Sequence, residues 1–233
     1  MTSFQYRPDI LAAYPNLSGG VIVAHGVANG PTPPALLAAY QAEQAATLAR
    51  IGPTPLSEIA SLAAWRAAFR SFGVDPTQYR SAAEALLRRL TKKGDIPSIN
   101  ALVDLANMVS IRHALPIAVV DTRALALPIT VHFADGSEIF RNLGQEEVDH
   151  PAPGEVVFSD ENGVVVARRW CWRQSDESGA REDTADVVIT CEAQHAGGRR
   201  DVAAALDELA ALLRDYAGGH IESALLGQDL PGF

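Results

Sequence analysis

Residues 94–123, GDIPSINALVDLANMVSIRHALPIAVVDTR, constrain the fold more than any other stretch. Gly94, Asp95 and Pro97 close off whatever precedes them. Ser98 is placed to cap a helix, its hydroxyl accepting a backbone N–H from the first turn. Ile99, Leu102, Val103, Leu105, Ala106, Val109 and Ile111 then recur at mostly three- and four-residue spacing. This predicts a helix over 98–112 with one broad apolar face. Pro116 breaks the helix and pushes Leu115 towards extended geometry. The apolar run 117–120, closed by Asp121, is the pattern of a fully buried strand. The apolar face of the helix is therefore expected to pack on the sheet that this strand joins. Asn100, Asp104 and Asn107 stand at i, i+4 and i+7, along one side of the helix. They are either a solvated flank or a row of groups offered to a ligand.

Before this stretch the patterning is mainly helical. A strand-like start leads to a short helix over 6–14, and residues 21–24 are β-branched and apolar between glycines. Thr32, Pro33 and Pro34 read as a cap and first turn of a helix running to about 50, with Leu36, Leu37, Tyr40, Ala45 and Leu48 buried. A second amphipathic helix covers 57–72. A third covers 81–93, where Ser81 and Glu84 have the spacing of a capping box. After Asp121 the runs shorten to 129–133, 137–141, 155–159, 163–169 and 187–191. Asp135-Gly136 and Asn162-Gly163 between them are hairpin signals. Long polar loops fall at 145–154 and 173–186, and a last helix covers 201–216. The residues after Gly218-Gly219 are a tail, docked or loose. Helices first, short strands next and one closing helix give an α+β class. No repeat or low-complexity linker divides the 233 residues, so one domain over 1–233 is expected.

The segment PSINALVDLANMVSIRHALPIAVVD resembles the B3/B4 domain of the phenylalanyl-tRNA synthetase β subunit, in which a VDxxN helix runs into a proline-initiated strand ending in Asp. FRSFGVDPTQYRSAAEALLRRL and RRWCWRQS resemble the free-standing members of that family. The likeness covers about residues 60–195. It implies a mainly antiparallel sheet with helices packed on it. It also implies an editing site, where the ester of a wrongly attached amino acid is hydrolysed from the 3′ end of a tRNA. Such a site needs an amino-acid pocket, an oriented water and donors for the developing oxyanion. Under the resemblance, Asn107 is the VDxxN asparagine that lines the pocket, and Ala106 stands where bacterial synthetases often have Thr. Ala118 stands where they have His, so the imidazole is missing. Glu192, or Thr190 two positions earlier, falls where the family recognises a tyrosine hydroxyl. On a strand those two share a face and Cys191 points away; a half-solvated strand end is the alternative. Arg173, Ser175 and Thr184 belong to a polar loop shared with the free-standing members. Arg173 offers itself to a carboxylate or phosphate, or to a surface ion pair with Asp176 or Glu177.

The net charge of −9 sets a limit on RNA binding, because phosphate contacts require a local basic patch. Arg88, Arg89, Lys92 and Lys93 form the first candidate cluster, with a solvated helix end as its alternative, and Arg168 with Arg169 is the second. His113 and His25 are weaker candidates for the cleft. Trp170 and Trp172, if on a strand, present both indoles to one side, as a core wall or as a stacking platform. Cys171 and Cys191 read as small buried residues. No Walker loop, dinucleotide fingerprint, HExxH or GxSxG occurs, and no metal or cofactor is expected. No signal pattern or apolar span of membrane length is present, so a cytoplasmic protein with neither membrane nor DNA partner is expected. The leading expectation is a tRNA-binding domain that edits mischarged aminoacyl-tRNA in trans. The competing one is a non-catalytic module for an RNA end or a small amino-acid-like ligand. A metabolic enzyme on the same scaffold is the third class.

Overall fold

A computed structural model describes residues 2–233. Three segments far apart in the chain, β2 (Ser18–His25), β3 (Ile117–Asp121) and β10 (Asp186–Ala193), meet in one antiparallel sheet with β11 (His220–Leu226), in the order β11-β2-β10-β3. Its register sets Thr190 opposite Ala118 on one side and Val21 on the other. Alternation along the strands sorts side chains between two layers. Ile22, Ala24, Val119, Ile189 and Cys191 face the helices α2 (Pro34–Ile51), α5 (Ala101–His113) and α6 (Gly198–Tyr216). Val21, Val23, Val120 and Val188 face the other way, into a second core.

That second core is closed by a five-stranded sheet, β1 (Phe4–Tyr6), β4 (Ile129–Phe133), β7 (Val156–Ser159), β8 (Val165–Arg168) and β9 (Arg173–Gln174), in this spatial order. All its pairings are antiparallel except β1 with β4. Helices α1 (Pro8–Ala13) and α3 (Ala60–Ser71) add Ile10, Leu11, Trp65 and Phe69 to this core. A short pair, β5 (Phe140–Arg141) with β6 (Val148–Asp149), lies in the stretch read as strand and loop. The fold is α+β with mainly antiparallel sheets, as the order of patterns predicts.

Helix α5 differs from its expected form in instructive ways. Its cap is Asn100, whose side-chain oxygen accepts from the Val103 N–H at 3.0 Å. Ser98 instead donates its hydroxyl to the Asp104 carboxylate, which also accepts from the Thr32 hydroxyl at 2.6 Å and the Ile99 N–H at 2.9 Å. Thr32 is thereby diverted from capping α2, whose cap position is Pro33. Ile99 lies outside the helix, 61% exposed. The helix is enclosed on nearly all sides, with Leu102, Leu105, Met108, Val109 and Ile111 buried. On α2, Ala45 is exposed, and the buried face carries Glu43, Gln44 and Thr47. These are satisfied: Glu43 pairs with Arg112 at 2.7 Å, and Gln44 bonds both backbone groups of Ile96.

Helix α4 (Ala82–Lys93) has the predicted Ser81 cap, which accepts from the Glu84 N–H, and ends at Gly94 in the left-handed region. The residues after Gly219 are docked. β11 pairs with β2, and the Phe233 backbone bonds that of Ser3 and Phe4.

Candidate functional site

A cavity of about 70 Å³ opens between the two sheets, where β3 and β10 face the chain segment that joins β8 to β9. Ala118, Arg173, Thr190 and Glu192, four of the residues singled out in the sequence, line it together. Pro116, Ile117, Phe158, Ala167, Trp170 and Trp172 supply most of the remaining wall. Asn107 is not among the lining residues. It is half-buried on the α2 side of α5, near enough to the Tyr40 hydroxyl to affect its titration but outside hydrogen-bond geometry. The reason is that α5 lies on the far side of the four-stranded sheet from the cavity.

Glu192 is the buried acid of the site, 2% exposed. Its carboxyl accepts from the Tyr6 hydroxyl at 2.8 Å and from the Trp170 indole N–H at 3.0 Å. Burial pushes its pKa up to about 7, and the two hydrogen bonds oppose that rise. An isolated charge here would be costly, so a neutral carboxyl near neutrality is the expected compromise. Tyr6 reaches Glu192 because β2 has glycine at position 19. A Cβ there would fall 2.2 Å from the Tyr6 hydroxyl oxygen. Thr190, also buried, points to the same side, and among the described residues no protein group hydrogen-bonds its hydroxyl.

The expected strand through Trp170 and Trp172 is a turn. Arg169 and Trp170 both have positive φ, 47° and 61°, and the indoles separate as a result. Trp170 is fully buried against Tyr14 and Trp65, with ring centroids 4.7 and 5.2 Å away. Trp172 stays half-buried at the cavity rim, edge-on to Tyr79 at 4.9 Å. The 74–79 loop is fixed by Asp75, which accepts from Thr77, and by Arg66, which donates to the Pro76 carbonyl. It leads into α4, whose first residue, Ala82, lines the cavity and donates its N–H to the Cys171 carbonyl.

Several candidates have structural partners elsewhere. Ser175 is buried and bonds Ser178, and Thr184 donates to Asp121 at 2.5 Å. Burial raises the Asp121 pKa, but hydrogen bonds from Arg123 and Thr184 outweigh it and hold the carboxyl below its usual range. Arg173 pairs with neither Asp176 nor Glu177; it donates to the Asn142 side chain at 3.1 Å. His113 bonds Glu208 on α6 at 2.9 Å, and His25 bonds Asp186 at 3.1 Å; neither reaches the cavity. Burial pushes both cysteine thiols up, Cys171 at the cavity wall and Cys191 among the helices, so neither is an activated nucleophile. Arg88 and Lys92 line a separate cleft with Thr54, Ser57 and Arg66, while Arg89 lies 3.8 Å from Asp95. Since α4 begins at the cavity, its basic residues lie along the helix from it, Arg88 at roughly 9 Å and Lys93 at roughly 17 Å. Among the described residues, no group of three or more His, Cys, Asp or Glu is placed to hold a metal ion. No helix among them is long and apolar enough to cross a membrane.

Residues 64–218, two thirds of the chain, match the family model described as the B3/4 domain. The chain belongs to this family. Among solved structures it is similar to an N-terminal fragment of the phenylalanyl-tRNA synthetase β subunit from Pyrococcus horikoshii. The TM-score is 0.50 at 13% identity, with 94% of this chain and 50% of that one covered. At that identity the likeness is one of fold, and this B3/4 chain spans half the length of the fragment. No curated protein matches.

Nothing in the sequence pairs Tyr6 or Trp170 with Glu192, although Trp170 stands out there as a core wall or stacking platform. Tyr6 lies 186 positions from Glu192 and is brought to it by the pairing of β1 with β4.

Proposed function

We propose that this B3/4-domain protein binds the aminoacylated 3′ end of a tRNA, with the aminoacyl group in the cavity between the sheets. The observation that carries the reading is the convergence of Ala118, Arg173, Thr190 and Glu192 on one small cavity in a fold shared with a synthetase subunit. Pre-formed clefts with a few convergent polar groups are the usual form of ligand sites. At about 70 Å³ the cavity is well below the ~150 Å³ that takes a benzene ring, so it suits a small side chain. Hydrolysis of a mischarged ester in trans is the reaction this arrangement supports. The Thr190 hydroxyl is available to orient a water, and Glu192 supplies a buried carboxyl beside it. Asn107, on the other side of the sheet, is left out of this reading. Arg88, Arg89, Lys92 and Lys93 would meet RNA phosphates along the second half of α4.

A second reading, binding without hydrolysis, is favoured by two observations. Ala118 offers no imidazole, and the Glu192 carboxyl is held by Tyr6 and Trp170. A deacylation assay over a panel of mischarged tRNAs separates the two. The first reading expects hydrolysis above background, strongest for small amino acids and reduced in Thr190→Val. Binding of charged tRNA with no hydrolysis supports the second. Neither binding nor hydrolysis across the panel would remove both.

A further inference from the structure

Two arginines share the ring of Trp172, which lines the cavity; Arg173 lines the cavity as well, and Arg169 reaches it through that ring. The Arg169 guanidinium carbon lies 3.9 Å from the Tyr79 ring centre and 4.4 Å from that of Trp172. The Arg173 guanidinium carbon lies 4.5 Å from the Trp172 ring centre. Stacking engages the faces of a guanidinium and leaves its N–H donors in the plane; one nitrogen of Arg173 donates to the Asn142 side chain at 3.1 Å, and its other donors face no hydrogen-bond partner among the described residues. Among the described residues no carboxylate lies within ion-pair distance of either group. This happens in a chain where 28 acidic residues face 19 basic ones. Arg168, by contrast, is neutralised by Glu155 and Asp149. Arg169 is also held by backbone in the left-handed region, which non-glycine residues rarely adopt and which tends to persist at functional sites. Burial lowers its pKa, so an anion nearby would be favourable.

We infer that Arg169 and Arg173 form an oxyanion-binding site at the mouth of the cavity, taking the carboxylate or phosphate of a ligand whose small uncharged group enters between Ala118 and Trp170. The inference rests on the reading of the cavity as a ligand pocket and adds what its mouth recognises. Arginine suits such a role because its planar donors match both carboxylate and phosphate. The cavity itself has mostly apolar walls, Ile117, Phe158 and Ala167 among them, so the charge of the ligand is met outside it.

Calorimetric titration of the full chain with two matched pairs tests this. Ethyl phosphate against ethanol reports a phosphate source, and alanine against alaninamide a carboxylate source. At least one charged member should bind about tenfold more tightly than its neutral partner, the scale of a charge-assisted hydrogen bond. Arg169→Gln and Arg173→Gln should each abolish the preference, while Arg214→Gln, on the exposed side of α6, retains it. Arg173 is exposed, so its variant keeps the test valid should Arg169→Gln misfold. No preference in either pair, or a preference that survives Arg173→Gln and a folded Arg169→Gln, overturns the inference. If charged tRNA binds under those outcomes, the tRNA reading stands without the anion site. A preference lost in the variants, with no tRNA binding at all, keeps the anion site and removes the tRNA reading.

Discussion

Glu192 shows how one residue couples the site to stability. Its folded pKa of about 7 lies above the ordinary 4.5 because burial disfavours the charge. Between those values the folded protein holds a proton that the unfolded chain has released. The stability from this group is complete below pH 4.5 and is lost as pH rises to about 7, by on the order of 3 kcal/mol. Asp121 and Asp149 act in the opposite sense, since their lowered pKa values make stability fall at acid pH. The difference between wild type and Glu192→Gln isolates the first effect. Denaturant melts from pH 4.5 to 8 should show the wild type losing stability relative to the variant as pH rises; parallel curves would place the carboxyl's pKa elsewhere. Thr190 and Glu192 could be paired from the two-residue period of a strand alone. The partners Tyr6 and Trp170 could not, because one depends on a distant strand pairing and the other on a turn with two left-handed residues.

Elements with strong local signals were legible in advance. The Ser81 cap and the Gly94 stop of α4 are set by neighbouring residues, and both occur. The start of α5 was misplaced by competition: Asp104 takes the Ser98 hydroxyl, which leaves Asn100 to cap. β11 was hidden because an edge strand half in solvent carries little apolar periodicity. The enclosure of α5 gives a direct energetic contrast. Leu102 is fully buried, so Leu102→Ala should cost about 2–5 kcal/mol. Ile99 is 61% exposed, so Ile99→Ala should stay within about 0.5 kcal/mol. Equal losses in equilibrium unfolding would contradict the placement of the helix.

At the scale of the molecule, the cavity depends on both sheets at once. β3 and β10 supply one wall and the 170–174 segment the other, while α4 runs from the cavity to a basic end. If Arg88, Arg89, Lys92 and Lys93 meet phosphates, changing all four to Ala should weaken tRNA binding. Each lost contact should lower the salt slope by about 0.7–0.9. An unchanged slope would make them a solvated helix end. The central claim is that the cavity takes the aminoacyl group, and the most direct measurement compares one tRNA in charged and uncharged form. Equilibrium binding to the wild type should favour the form charged with a small amino acid. Ala118→Leu, which fills the cavity, should erase that preference and leave the affinity for bare tRNA unchanged. Equal wild-type affinity for the two forms, or a preference that survives Ala118→Leu, would contradict the account.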